Sequence, residues 1–263
     1  MFFCYYNEVN NWKDNIHFVL VEPTEPGNIG SAARAMKNMD FNNLCLVNPP
    51  ALNDDAKLLA HNAKDILGSS EIFSSFKDAL SDKHYVAGTS RRRGRKRGAF
   101  VPVEEGTQRL FEIAQTNKVA VLFGREDRGL FNDEVEDCGF LMTIPANKEH
   151  PSLNLAHAVI IIAYELSKAG IKASESKDNG DDESLLFAPA PRFMEQGELS
   201  LLYGRIEKSL QLIEYIQPDD EYKHKKIMQN LKHCLGRAGL SEWEFNMFHA
   251  ICGHIEKKIG VKN

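Results

Sequence analysis

Five short runs rich in Val, Ile, Leu and aromatic residues, at 16–22, 44–47, 85–88, 119–124 and 140–144, alternate with stretches whose apolar residues recur at helical spacing. Few folds satisfy that alternation. Runs that stay apolar at successive positions lose both faces to the interior, which predicts an α/β fold, a mostly parallel sheet with helices on both faces. The helical stretches are 30–39, 54–67, 74–80, 104–114, 133–138 and 152–169, the last being the longest, rich in alanine and apolar on more than one side. A chain of 263 residues that is 43% hydrophobic and 26% charged buries one such core and leaves material for a smaller second unit.

After Gly170 the composition changes. The stretch 174–184 is polar and acidic with no apolar anchor, as in a flexible linker. Beyond Pro189 and Pro191 apolar residues return at helical spacing in three groups, and Ser241-Glu242-Trp243-Glu244 reads as a capping box opening the third. The expected organisation is an N-terminal extension over 1–14, an α/β domain over 15–169, an acidic linker over 170–190 and a small all-α module over 191–263.

The N-terminus has neither the basic segment nor the sustained apolar stretch of a signal peptide, and the longest apolar run, 158–164, is too short to span a bilayer. Five scattered cysteines without a CxxC read as reduced thiols, and His249, Cys252 and His254 read as packing rather than ligand residues. The expectation is a cytoplasmic protein with no membrane anchor and no metal.

Three segments follow predicted strands, where open α/β sheets place their ligands. Pro26-Gly27-Asn28-Ile29-Gly30 reads as a glycine-rich turn that frees backbone N–H groups for an anion at a helix start, with Arg34 about one turn further on. Leu122-Phe123-Gly124-Arg125-Glu126, continued to Gly129, lets the backbone approach a flat ligand while a carboxylate stays within reach. Ile144-Pro145-Ala146-Asn147 leads past Pro151 to Ser152, expected to cap the long helix, and to Asn154, which offers both a donor and an acceptor. A dinucleotide fold competes for the first segment. Against it, the GxG pair is missing, Glu22 and Glu25 would repel a pyrophosphate, and the second strand ends in Val47-Asn48-Pro49 without a ribose-binding acid.

Charge is distributed unevenly. Thr89-Ser90 leads into Arg91-Arg92-Arg93-Gly94-Arg95-Lys96-Arg97, six cations in seven positions on a chain of net charge -5, a concentration that suits a phosphate backbone. Lys223, His224, Lys225, Lys226, Lys232, His233 and Arg237 offer a second RNA-facing surface.

Taken in order, the N-x-G-x-x-x-R, F-G-x-E-x-x-G-L and S-L-N stretches resemble the SPOUT superfamily of RNA methyltransferases, in its TrmH-like 2′-O-ribose branch, over about 15–166. Met228-Gln229-Asn230-Leu231-Lys232 and Glu244-Phe245-Asn246-Met247 extend the likeness to the tRNA cytidine/uridine 2′-O-methyltransferases of that branch. The resemblance implies a SPOUT-type sheet with a trefoil knot, a homodimer, S-adenosyl-L-methionine as methyl donor, tRNA as substrate and the ribose at anticodon-loop nucleotide 32 as target. By position it implies a cofactor site of Thr89, Ser90, Arg91, Leu122, Phe123, Gly124, Ile144, Pro145, Ser152 and Leu153. It implies a catalytic group of Arg34, Asn28, Ser152, Asn154 and Glu126, and RNA contacts by Arg34, Arg91, Arg92, Arg93, Arg95, Lys96 and Arg97. A catalytically silent knotted RNA-binding dimer and a methyltransferase for another tRNA or rRNA site stay open beside it. The chain departs from the family in carrying Met39-Asp40-Phe41 where a glycine is common, and in the unusually basic run over 91–97.

Overall fold

A computed structural model of the chain describes residues 12–91, 98–147, 149, 152–178, 190–217 and 219–260. Seven strands form one sheet in the order β3-β2-β1-β6-β4-β7-β5, and every neighbouring pair is parallel. They are β1 (Ile16–Val21), β2 (Asn43–Val47), β3 (Glu71–Phe73), β4 (Tyr85–Thr89), β5 (Phe100–Pro102), β6 (Val119–Phe123) and β7 (Phe140–Thr143). All of β1 and β6 is buried, as strands covered on both faces must be. The two outermost strands, β3 and β5, escape the sequence reading because three residues are too few to set a period.

Helices cover both faces. Ile16, Phe18 and Leu20 of β1 point into a core shared with α1 (Pro26–Asn38), α2 (Asp54–Ala60), α3 (Lys64–Gly68), α5 (Val103–Ala114) and α7 (Leu155–Asp178). Val19 and Val21 point the other way, towards α4 (Phe76–Leu80) and α6 (Asn132–Glu136). Alternate residues of one strand thus serve two half-cores. The tail packs α8 (Gln196–Leu212), α9 (Glu221–Ala238) and α10 (Glu242–Gly260) around Leu199, Leu202, Ile206, Leu240 and Cys252. Both the Ser241 backbone N–H and its hydroxyl donate to Glu244, which realises the expected cap of α10.

Several boundaries differ from the sequence reading. α1 starts at Pro26, not at 30, so the glycine-rich segment is helix rather than an anion-binding turn; proline suits a first helical position. Gly30 instead lets α1 touch α2, since a Cβ there would stand 2.1 Å from the Ala56 carbonyl oxygen. The stretch 54–67 is not one helix: His61 takes φ +50 and breaks it. The longest helix, read over 152–169, runs Leu155–Asp178, and its cap is Asn154, whose Oδ1 accepts from the Ala156 N–H at 2.8 Å, not Ser152. The linker therefore cannot begin at 170. Gly170 does not end the helix because the Trp12 ring packs against it, where a Cβ would meet Trp12 at 2.7 Å. The remainder of the expected linker, 179–189, and most of the N-terminal extension lie outside the described residues. Asp40 sits at φ +62, a left-handed conformation that aspartate tolerates better than most side chains.

Candidate active site

The carboxyl ends of β4, β6 and β7 open into a cleft. Open parallel sheets bind ligands at that edge. Of the expected cofactor residues, Thr89, Ser90, Arg91, Phe123, Gly124, Ile144, Ser152 and Leu153 line it. Two do not. Leu122 is wholly buried in β6 and its carbonyl accepts from Thr89 Oγ1 at 2.9 Å, while Pro145 is exposed outside the cleft. Leu122 therefore holds a lining residue in place, because alternation along the strand turns its own side chain to the core.

Gly124 ends β6 where the chain folds back on itself. A Cβ there would come within 2.2 Å of the Gly129 carbonyl carbon and the Leu130 nitrogen, so only glycine allows the turn to close. Gly129 itself adopts φ +67. This tight turn sets the cleft wall, which is lined by Leu130, Met142, Ile144, Leu153 and Leu155 beside bare backbone.

The catalytic candidates divide. Glu126 and Ser152 line the cleft; Asn28, Asn154 and Arg34 do not. Asn28 and Asn154 are nevertheless joined to it by hydrogen bonds. Asn154 Nδ2 donates to Asn28 Oδ1 at 2.8 Å, and Asn28 Nδ2 donates to Glu126 Oε1 at 2.9 Å. Glu126 Oε2 accepts from the Thr24 N–H at 2.9 Å and from Thr24 Oγ1 at 2.8 Å. Burial pushes the Glu126 carboxyl up, but the bonds from Asn28 and Thr24 outweigh it and leave the group below its ordinary range. Its oxygens are occupied as acceptors, so Glu126 acts as an anchor for three segments. Arg34 is exposed on α1 and makes no hydrogen bond or ion pair with any described residue.

The sequence reading passed over Arg125. Its guanidinium is buried, paired with Glu134 through two hydrogen bonds of 2.9 and 3.1 Å and with Glu22 through one of 2.8 Å. It also lies 3.9 Å from the centroid of the Phe131 ring. Glu22, which was expected to repel a phosphate, is thereby neutralised. The signal that could have found the cluster was Glu134, three residues beyond Phe131, whose carboxylate accepts from the Phe131 N–H at 2.6 Å as a helix-capping acid does.

Arg91 is exposed at the cleft mouth. Arg92, Arg93, Arg95, Lys96 and Arg97 lie outside the described residues. No group of side chains able to hold a metal ion occurs among the described residues, and no described helix is long and apolar enough to cross a membrane.

A parallel sheet of this order with a glycine-closed cleft at its carboxyl edge is a ligand-binding α/β architecture. Residues 15–164 match the SpoU rRNA Methylase family, and the chain belongs to it. It is an enzyme, a methyltransferase. More particularly, the chain is 38% identical to the tRNA (cytidine/uridine-2′-O-)-methyltransferase TrmJ of Salmonella choleraesuis, over 93% of this chain and 97% of that one. It is 35% identical to the tRNA (cytidine/uridine/adenosine-2′-O-)-methyltransferase TrmJ of Pseudomonas aeruginosa, over 93% and 95% of the two chains. The crystal structure of TrmJ from Z. mobilis ZM4 superposes with a TM-score of 0.74 at 30% identity, covering 91% of this chain and 98% of that one.

Proposed function

We propose that the chain transfers a methyl group from S-adenosyl-L-methionine to a ribose 2′-oxygen of tRNA, at cytidine or uridine 32 of the anticodon loop. The observation that carries the reading is the hydrogen-bonded chain Thr24–Glu126–Asn28–Asn154, which gathers all three signature segments at one cleft. The kinship to the TrmJ enzymes supplies the substrate class.

The cleft suits the donor. Apolar walls at Ile144, Leu153 and Leu155 fit a purine, and the bare backbone at Gly124 and Gly129 leaves room for a flat ring beside Thr89 and Ser90. When bound, the donor supplies a methyl carbon activated by its sulfonium leaving group. The protein's part is to align the attacking hydroxyl and stabilise the charge developing on it. The Arg34 side chain has no hydrogen-bond or ion-pair partner among the described residues and carries a planar fork of donors, so we assign it to the substrate phosphate and the 2′-oxygen. A guanidinium stays protonated up to a pH above about 12, so Arg34 positions rather than abstracts. Asn28 and Asn154 tie the first turn of α1 and the approach to α7 to the loop after β6.

The strand order supports a threaded chain: β7, the last strand in sequence, lies between β4 and β5. The apolar 158–164 stretch of α7, with Tyr164 largely exposed, offers the face for a second copy in a homodimer. Mass mapping of tRNA incubated with the protein and labelled donor tests the reading. One ribose-methylated nucleotide at position 32 is expected; base methylation, or no label at all, overturns it.

A further inference from the structure

Arg125 and Glu126 are consecutive, and they grip the connection between β1 and α1 at different points. Glu126 holds Thr24 and Asn28. Arg125 holds Glu22, whose Oε2 lies 2.8 Å from Nε and 2.7 Å from Nη2. The rest of the guanidinium goes to Glu134 of α6 and, at 3.4 Å, to the Gly129 carbonyl, so one fork spans both that connection and the turn that forms the cleft wall. Although Arg125 borders the cleft, its N–H groups are committed to protein oxygens.

Three features of Glu22 speak for a role in geometry rather than in folding. First, its backbone stands at φ +47, in the left-handed region where a residue with a Cβ is strained and glycine is not. Secondly, its charge is surplus to the balance of the cluster, because Glu134, 7% exposed and joined to Arg125 by two hydrogen bonds, already answers the buried guanidinium one for one. Thirdly, the Glu22 side chain is 44% exposed, and ion pairs open to water add little to stability. Backbone strain that folding does not require collects at functional sites. The chain beyond Glu22 is also stiff. Pro23 and Pro26 fix φ on either side of Thr24, and Pro26 opens α1, so a displacement at Glu22 is carried on to Asn28 instead of being absorbed by the loop.

We propose that Glu22 and Arg125 are positioning residues for methyl transfer. Their pairing sets the first turn of α1, with Asn28, at a fixed distance from the cleft wall built by the 125–130 turn, so that a ribose held on the α1 side meets the methyl carbon in line. Both act through their neighbours and not on the reacting atoms. This rests on the methyltransferase reading given above.

Glu22→Gly and Glu22→Gln in the full-length protein test it. Glycine removes the grip and the backbone strain together, whereas glutamine keeps an oxygen for Arg125 without the charge. Glu22→Gly should leave Tm within about 3 °C of the parent. Its affinity for S-adenosyl-L-methionine in calorimetry should stay within about twofold, while the single-turnover rate of ribose methylation at saturating methyl donor and tRNA falls roughly tenfold or more. Exchange of the Thr24 amide hydrogen, which Glu126 holds in the parent, should quicken about threefold, a readout that needs no substrate. Glu22→Gln should recover most of the rate and of the protection. A glycine variant as fast as the parent overturns the proposal, and so does unchanged exchange at Thr24. A loss of rate matched by an equal loss of methyl-donor affinity, or by a fall in Tm of roughly 10 °C, makes the pair structural and likewise overturns it. A glutamine variant as slow as the glycine one assigns the effect to charge and has the same consequence. A parent protein that transfers no methyl group to tRNA ribose sinks the assigned reaction, and the positioning role with it, before any variant is compared, which separates the two failures.

Discussion

Glu126 Oε1 accepts a hydrogen bond from Asn28 Nδ2 at 2.9 Å, joining side chains 98 residues apart in sequence. The bond fixes the loop after β6 to the first turn of α1, and Asn154 extends it to the start of α7.

Glu126→Gln places an amide N–H₂ where Thr24 and Asn28 donate, and should cost about 2–3 kcal/mol at pH 7. The native carboxyl lies below its ordinary range, so its stabilisation is complete above the unfolded value of about 4.3 and is lost as pH falls through the lower native value. Urea unfolding should therefore show the gap between parent and variant narrowing below about pH 4. A gap that does not change with pH would assign the effect to shape alone.

Gly124→Ala puts a Cβ within 2.2 Å of the backbone at Gly129 and Leu130. The turn has to open, which should destabilise the protein by about 2 kcal/mol or more. Calorimetry should then find donor binding abolished, because the displaced turn is the cleft wall. Unaltered binding would contradict this placement.

Arg125→Ala leaves Glu134 buried without its partner and Glu22 without its counter-charge. Loss of one member of a buried pair costs about 3–5 kcal/mol, which should lower Tm by roughly 10 °C. Differential scanning calorimetry reads this directly, and a shift under about 2 °C would show that the cluster holds little.

Arg34→Lys should leave stability within about 0.5 kcal/mol of the parent, since the side chain is exposed and makes no hydrogen bond or ion pair with any described residue. Methyl transfer should nonetheless fall about a hundredfold, as when one preorganised donor to a developing oxyanion is removed. Single-turnover kinetics at saturating donor measure it. Near-full turnover by the lysine variant would mean that planar two-pronged contact is not needed.

His17 on β1 is 7% exposed and neither ring nitrogen has a partner among the described residues. Burial, aided by the charge of Lys83, lowers its pKa to about 4. The folded state thus resists protonation that the unfolded chain accepts, so stability is complete above about pH 6.5 and about 3 kcal/mol is lost as pH falls to about 4. His17→Leu should remove that slope and raise stability at pH 7 by about 1 kcal/mol, because no hydrogen bond is given up. Denaturant midpoints at pH 7 and pH 4.5 check both signs.

The central strands and most of the helices were legible because their signal is local. Continuous apolar runs mark β1 and β6, and helical spacing marks α5 and the three tail helices. Where a neighbour overrode the local signal, the reading failed. Gly27 and Gly30 look like a turn but lie inside α1 because α2 must approach closely, and Gly170 looks like a helix end but accommodates Trp12.

The amino-acid order alone determined the parallel α/β architecture, the helical tail and the two segments that line the cleft, since each follows from periodicity and turn chemistry within a dozen residues. Tertiary structure alone decided that Asn28, Glu126 and Asn154 share one hydrogen-bonded chain, that Arg125 is buried between Glu22 and Glu134, and that Leu122 and Pro145 face away from the cleft. Those contacts depend on which strands become neighbours, and the β3-β2-β1-β6-β4-β7-β5 order brings together side chains that no spacing along the chain relates.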